Sequence, residues 1–124
     1  MANEITVTAS LVVLNGSLSI SRSLTKQVNQ SVAFGGGPGT VAIGTAAGGE
    51  VVPFTDYTAK GYCLIINNSA ANFVQVGPES GGAIVPLLQI GPQEFNLVSF
   101  APTAVVRAMA DTASCNVQFI GADR

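Results

Sequence analysis

Ile5, Val7, Ala9 and Leu11 fall on one parity, with Thr6, Thr8 and Ser10 between them. Apolar side chains at every second residue share a face only when the backbone is extended, so this segment reads as a half-buried strand. Beyond Asn15-Gly16, Leu18, Ile20, Leu24 and Val28 resume that spacing, with Ser17, Ser19, Ser21 and Ser23 on the other parity. An Asn-Gly pair between two alternating runs predicts a two-residue hairpin turn of type I′. Arg22 and Lys26 interrupt the apolar parity. In those positions a basic side chain snorkels to the sheet edge or meets a partner's carboxylate. No helix start or stop is visible in this region.

The rest of the chain is a succession of short apolar runs cut by turn residues. Gly35-Gly-Gly-Pro-Gly39 is a loop, with Val32, Ala33 and Phe34 the ordered residues before it. A phosphate-binding loop would continue with Lys and then Ser or Thr, but Thr40-Val41 follows, and a dinucleotide fingerprint lacks its third glycine. The segment therefore reads as a turn. Strands are expected at Thr40 to Gly44, at Val51-Val52 ahead of Pro53, and at the continuous run Tyr62 to Ile66. Others follow at Asn72 to Gly77, at Ala83 to Ile90 broken at Pro86, and at Glu94 to Phe100. Ala104 to Ala110 and Asn116 to Ile120 complete the set, with Pro78 to Gly82 a polar loop. Turn signals this frequent predict an all-β fold: one jelly-roll-like antiparallel sandwich of about eight strands. The chain reads as one domain, 1–124, with 1–30 as an N-terminal hairpin or arm. Tyr62, Leu64, Ile66, Phe73, Val76, Phe95, Leu97, Val117 and Phe119 are the expected core.

Composition narrows the chemistry. The 124 residues are 48% hydrophobic but only 10% charged, with no His and no Trp. The usual charged share is about 25%. Five basic side chains against seven acidic ones do not make the phosphate-neutralising patch that nucleic-acid binding needs. Without His, the commonest general base and metal ligand is missing. Asp56 with Asp111, or Glu79 with Glu94, would be the carboxylate pairs of a glycosidase, but each lies in or beside a turn, where such residues are ordinarily just solvated. Asp56 stands alone as a calcium ligand. No enzymatic activity, metal or cofactor is expected. The apolar runs fall far short of the roughly 20 residues that cross a bilayer, so no membrane partner is expected. Met1-Ala2-Asn3-Glu4 lacks the basic region of a secretion leader. Cys63 and Cys115 have no metal-ligand spacing and are expected to be free, buried thiols of a protein made in a reducing cytoplasm.

The scarcity of charge leaves outward faces built from Ser, Thr, Asn, Gln, Ala and Gly. Such faces guard strand edges poorly in a lone monomer and pack closely within an assembly. The punctuation of the second half also resembles a known group. Gly61-Tyr-Cys-Leu-Ile-Ile-Asn-Asn68, Asn72-Phe-Val-Gln-Val-Gly77 and Ile90-Gly-Pro-Gln-Glu-Phe95 are similar to small virion proteins of tailed double-stranded DNA bacteriophages, as is the opening Ile5 to Ser23. Gly91-Pro92-Gln93-Glu94 departs from the group, where a basic residue and Pro-Gly are usual.

The resemblance implies a non-enzymatic structural protein of the virion, made in the host bacterial cytoplasm. A capsid decoration (cement) protein comes first; a neck, tail or baseplate accessory is the alternative. Implied partners are the major capsid protein or other virion proteins, together with copies of the chain in a homo-oligomer. A carbohydrate-binding module is a weaker alternative, because Tyr57 and Tyr62 without Trp are too few aromatics for a sugar platform. The candidate contact element is the hairpin. Leu11, Val13, Leu18 and Ile20 would enter shallow apolar pockets and Arg22 would grip a carboxylate. A two-stranded ribbon is only marginally stable in water, so it must lie on its own domain or on a neighbour.

Overall fold

The structure is a computed structural model that describes residues 5–30, 37–55 and 59–123. The chain divides into two units, residues 1–32 and 33–124. Expected order at Val32, Ala33 and Phe34, and the positions of Asp56 and Tyr57, lie outside the described residues.

In the first unit β1 (Ile5–Asn15) and β2 (Leu18–Val28) pair antiparallel along their whole length, from Ile5 opposite Val28 to Asn15 opposite Leu18. The turn differs from expectation. Gly16 and Ser17 are its central residues, and Gly16 has φ 57° while Ser17 stays outside the left-handed region. One positive φ at the first central position is the type II′ pattern, not type I′. Only Gly meets that requirement without strain, so Gly16 sets the turn and Asn15 is drawn into the strand. The correction shifts partners by two residues and leaves face parity intact.

The second unit holds nine strands, and no helix occurs among the described residues. One sheet runs β3 (Gly39–Ile43), β11 (Cys115–Asp123), β5 (Lys60–Asn67), β9 (Phe95–Ser99). The other runs β4 (Glu50–Val51), β10 (Val106–Ala110), β6 (Val74–Ser80), β8 (Leu88–Ile90), with β7 (Ala83–Ile84) as a short hairpin on the end of β6. All pairings are antiparallel. Setting β7 aside and numbering the remaining eight strands along the chain gives the orders 1-8-3-6 and 2-7-4-5. That interleaving of early and late strands is a jelly roll. The eight strands all belong to this unit, so the hairpin is additional to them.

Local chemistry explains the breaks. Pro86 separates β7 from β8, as its missing N–H requires. The expected loop at Pro78 to Gly82 is instead strand as far as Ser80, because the Pro78 carbonyl accepts Val85 N at 2.8 Å and Pro78 stands opposite Val106. Leu87 N reaches the Val76 carbonyl at 3.2 Å, so the Val85–Leu87 segment lies directly on Gly77. A Cβ there would fall on the Val85 carbonyl oxygen. Gly77 is needed for close approach of two backbones.

The core between the sheets is Ile43, Cys63, Ile65, Cys115, Val117 and Phe119 from one side, and Val52, Val74, Val76, Ile90, Val106, Ala108 and Ala110 from the other. Val76, Val117 and Phe119 were expected; most of the rest were not. On β5 the buried residues are Gly61, Cys63, Ile65 and Asn67, while Tyr62, Leu64 and Ile66 take the opposite face, half-buried. Phe73 and Leu97 are likewise only half-buried, and Phe95 is 72% exposed. A strand apolar on both faces carries no alternation from which to choose its inner side, and choosing wrongly by one residue inverts it.

Asn67 is the one buried polar side chain among the described residues. Its Nδ2 donates to the carbonyls of Asn72, Ile90 and Gly91 at 2.8, 3.0 and 3.0 Å, and its Oδ1 accepts Ser69 N at 3.0 Å. Such an amide is fully satisfied, so burying it is affordable, and it ties the turn after β5 to the end of β8.

Cys63 and Cys115 are both free and buried. Burial pushes the Cys63 thiol up to about 12, against a small opposing hydrogen bond with the Ile120 backbone. Below pH 9 the thiol is protonated whether folded or unfolded. Between pH 9 and about 12 only the unfolded chain gives up that proton. Stability should therefore fall through this window by up to about 1.4 kcal/mol per pH unit from this group. Urea titrations of the wild type and Cys63→Ala across that window check it, because the variant should lose this part of the slope. A thiol reagent at pH 8 should find both cysteines only after unfolding.

Candidate contact face on the hairpin

Directly opposed residues in an antiparallel pair share a face. Face one of the ribbon therefore carries Leu11 opposite Arg22, Val13 opposite Ile20, Ala9 opposite Leu24 and Val7 opposite Lys26, with Leu18 at the turn. All five sequence-derived contact residues, Leu11, Val13, Leu18, Ile20 and Arg22, fall on it. The other face carries Thr6, Thr8, Ser10, Ser19, Ser21 and Ser23, with Thr8 Oγ1 3.2 Å from Thr25 Oγ1. Val12 and Leu14 also lie there, so the ribbon's tip is apolar on both sides; sequence reading placed only polar residues on that face.

The apolar face is open. Leu11 is 59% exposed, Leu24 57%, Leu18 49% and Ile20 42%. At about 3.4 Å per residue the 11-residue strands make a ribbon roughly 37 Å long. Residues 5–30 include Arg22 and Lys26 and no Asp or Glu, whereas residues 33–124 contain six acidic and three basic side chains. The ribbon is thus a cationic, apolar element on a chain that is otherwise acidic. What the face offers chemically is exposed apolar side chains with two cations set among them.

Glu79 and Glu94, weighed as a carboxylate pair, are each engaged elsewhere. Glu79 Oε1 accepts Arg107 Nε at 3.0 Å and Nη2 at 2.7 Å, while Arg107 Nη1 donates to the carbonyls of Gly48 and Gly49 at 3.4 and 3.1 Å. Arg107 so clamps the loop before β4 onto β10 and β6. Glu94 Oε2 accepts Gly91 N at 3.0 Å within its own turn. Among the described residues no three His, Cys, Asp or Glu side chains gather as a metal site. Two clefts meet at Ala104–Val106: about 210 Å³ beside Val76, Leu87 and Phe100, and about 280 Å³ beside Phe54 and Lys60.

No family model, curated protein or solved structure matches this chain.

Proposed function

We propose that the chain is a non-enzymatic structural protein of a tailed bacteriophage virion, a capsid decoration (cement) protein. It is made in the host cytoplasm and works by protein–protein contact with the major capsid protein. The observation that carries this reading is the hairpin's exposed apolar face with Arg22 and Lys26 set into it. A ribbon of this kind gains stability by lying on another surface, and its cations favour a surface rich in carboxylates. The jelly roll fits the reading by analogy, since capsid domains are among its common uses, although lectins and cupins share it. The resemblance of the strand punctuation to phage virion proteins points the same way.

The test is labelling of virions of the phage that encodes the chain, with antibody to the full-length protein, and binding of the purified protein to heads that lack it. A cement protein should label the head all round. Ile20→Lys, opposite Val13 near the tip of the apolar face, should weaken head binding more than about tenfold while circular dichroism stays unchanged. Label confined to the neck or tail would move the protein to an accessory role, and absence from particles would overturn the proposal.

A further inference from the structure

The two faces of the ribbon change character at the same level. On the face that bears no charge, the rows far from the turn pair Thr6 with Gln27, Thr8 with Thr25 and Ser10 with Ser23, all polar. The next rows toward the turn bring Val12, 58% exposed, and Leu14, 76% exposed. On the other face, the row between those of Ser10 and Val12 is Leu11 opposite Arg22, and beyond it Val13, Ile20 and Leu18 follow without a charge. Arg22 thus stands where the opposite face turns from polar to apolar, and Lys26 lies further from the turn, opposite Val7. Past that level the ribbon carries apolar side chains on both sides for four residue pairs, roughly 14 Å at about 3.4 Å per residue. Laid on a surface by one face alone, it would leave Val12 and Leu14 in water.

We infer that the ribbon's tip, residues 12–21, is inserted into a cleft of the partner protein that has an apolar wall on each side and carboxylates at its mouth to receive Arg22. The inference rests on the proposed function, in which the hairpin is the contact element, and specifies how that element is held. Charge decides the occupant. Residues 5–30 carry two cations and no acid, so the mouth of the cleft supplies the acids. A second ribbon supplies none and would set cations against cations. An anionic bilayer also places negative charge above an apolar interior. Among the described residues, however, β1 and β2 form a sheet of two strands, and the open edges of such a sheet are not tolerated in hydrocarbon. A protein cleft satisfies those edges, and the hydroxyls of Ser17, Ser19 and Ser21, with hydrogen bonds.

Binding of the full-length chain to heads that lack it tests the insertion. Leu14→Lys should weaken binding more than about tenfold, whereas Ser10→Lys, on the same face but outside the Arg22 level, should weaken it less than about twofold. Both side chains are exposed, so circular dichroism and the urea midpoint should match the wild type. A polarity-sensitive fluorophore supplies a second measurement. Attached at Leu14→Cys its emission should shift to the blue on binding, and at Ser10→Cys it should not; both native cysteines are buried and escape labelling. Three results would overturn the insertion alone: Leu14→Lys binding as tightly as the wild type while Ile20→Lys does not, equal shifts at 14 and 10, or a blue shift at 14 on vesicles of phosphatidylcholine and phosphatidylglycerol. A dimer in sedimentation that Leu14→Lys dissolves would also overturn it, by making a second copy the occupant. A wild-type chain that does not bind heads would overturn the proposed function, and the insertion with it.

Discussion

Phe119→Ala should lose about 4 kcal/mol of folding stability, within the range for deleting a buried aromatic ring. Phe119 is 0% exposed and sits in β11, flanked by Gly39 of β3 and Ile65 of β5. Its ring meets Phe54 edge-on, with centroids 6.0 Å apart, which adds a specific aromatic contact to the area it buries. The hole left behind lies in a strand held on both sides, so the backbone has little freedom to collapse into it. Phe95→Ala is the matched control: the same truncation at a 72% exposed position should change stability by less than about 1 kcal/mol in the monomer. Urea unfolding at low protein concentration measures both, and comparable losses at the two positions would contradict the assigned inner face of this sheet.

Gly77→Ala should cost about 3 kcal/mol, the upper end of what overpacking ordinarily brings. The obstacle is a backbone carbonyl, that of Val85, held in place by the Val85–Pro78 and Leu87–Val76 hydrogen bonds. Accommodating one methyl group means breaking those bonds or bending β6. Gly91→Ala gives the contrast, since the nearest atoms to a Cβ there belong to the Glu94 carboxylate, 2.9 Å away at the end of a flexible side chain. Its cost should stay below about 1 kcal/mol, apart from the turn-capping bond it disturbs. The difference should appear as a shift in urea midpoint at constant slope.

The hairpin was legible because its two signals agree. Alternation assigned the faces, glycine located the turn, and the one-residue error in the turn left Leu11, Val13, Leu18, Ile20 and Arg22 on a single side. The jelly-roll class was legible from punctuation alone, down to the break at Pro86. The inner face of β5 was not. Tyr62, Leu64 and Ile66 are the bulkier set, and size was mistaken for burial, whereas Cys63, among the residue types most often buried, marked the true parity. Asn67 lies on that same parity, and a lone Asn closing an apolar strand gives no sign that three distant carbonyls await it. The requirement at Gly77 was invisible for a related reason: it depends on Val85, which reaches Gly77 only through the fold.

The placement of β11 bears on how the chain comes off the ribosome. The last strand of the sandwich in chain order occupies an interior slot of its sheet, between β3 and β5. Until it emerges, those two strands lack the partner that lies between them in the finished sheet. The hairpin, joined by two residues, closes locally within about 1–10 μs. The sandwich must wait for its C-terminal strand and then align partners from opposite ends of the unit, a topology that folds in roughly milliseconds to seconds. Each new molecule therefore spends an interval with a finished ribbon and an unfinished sandwich. A chain cut short before Cys115 would remain in that condition, open through the middle of a sheet instead of trimmed at its rim.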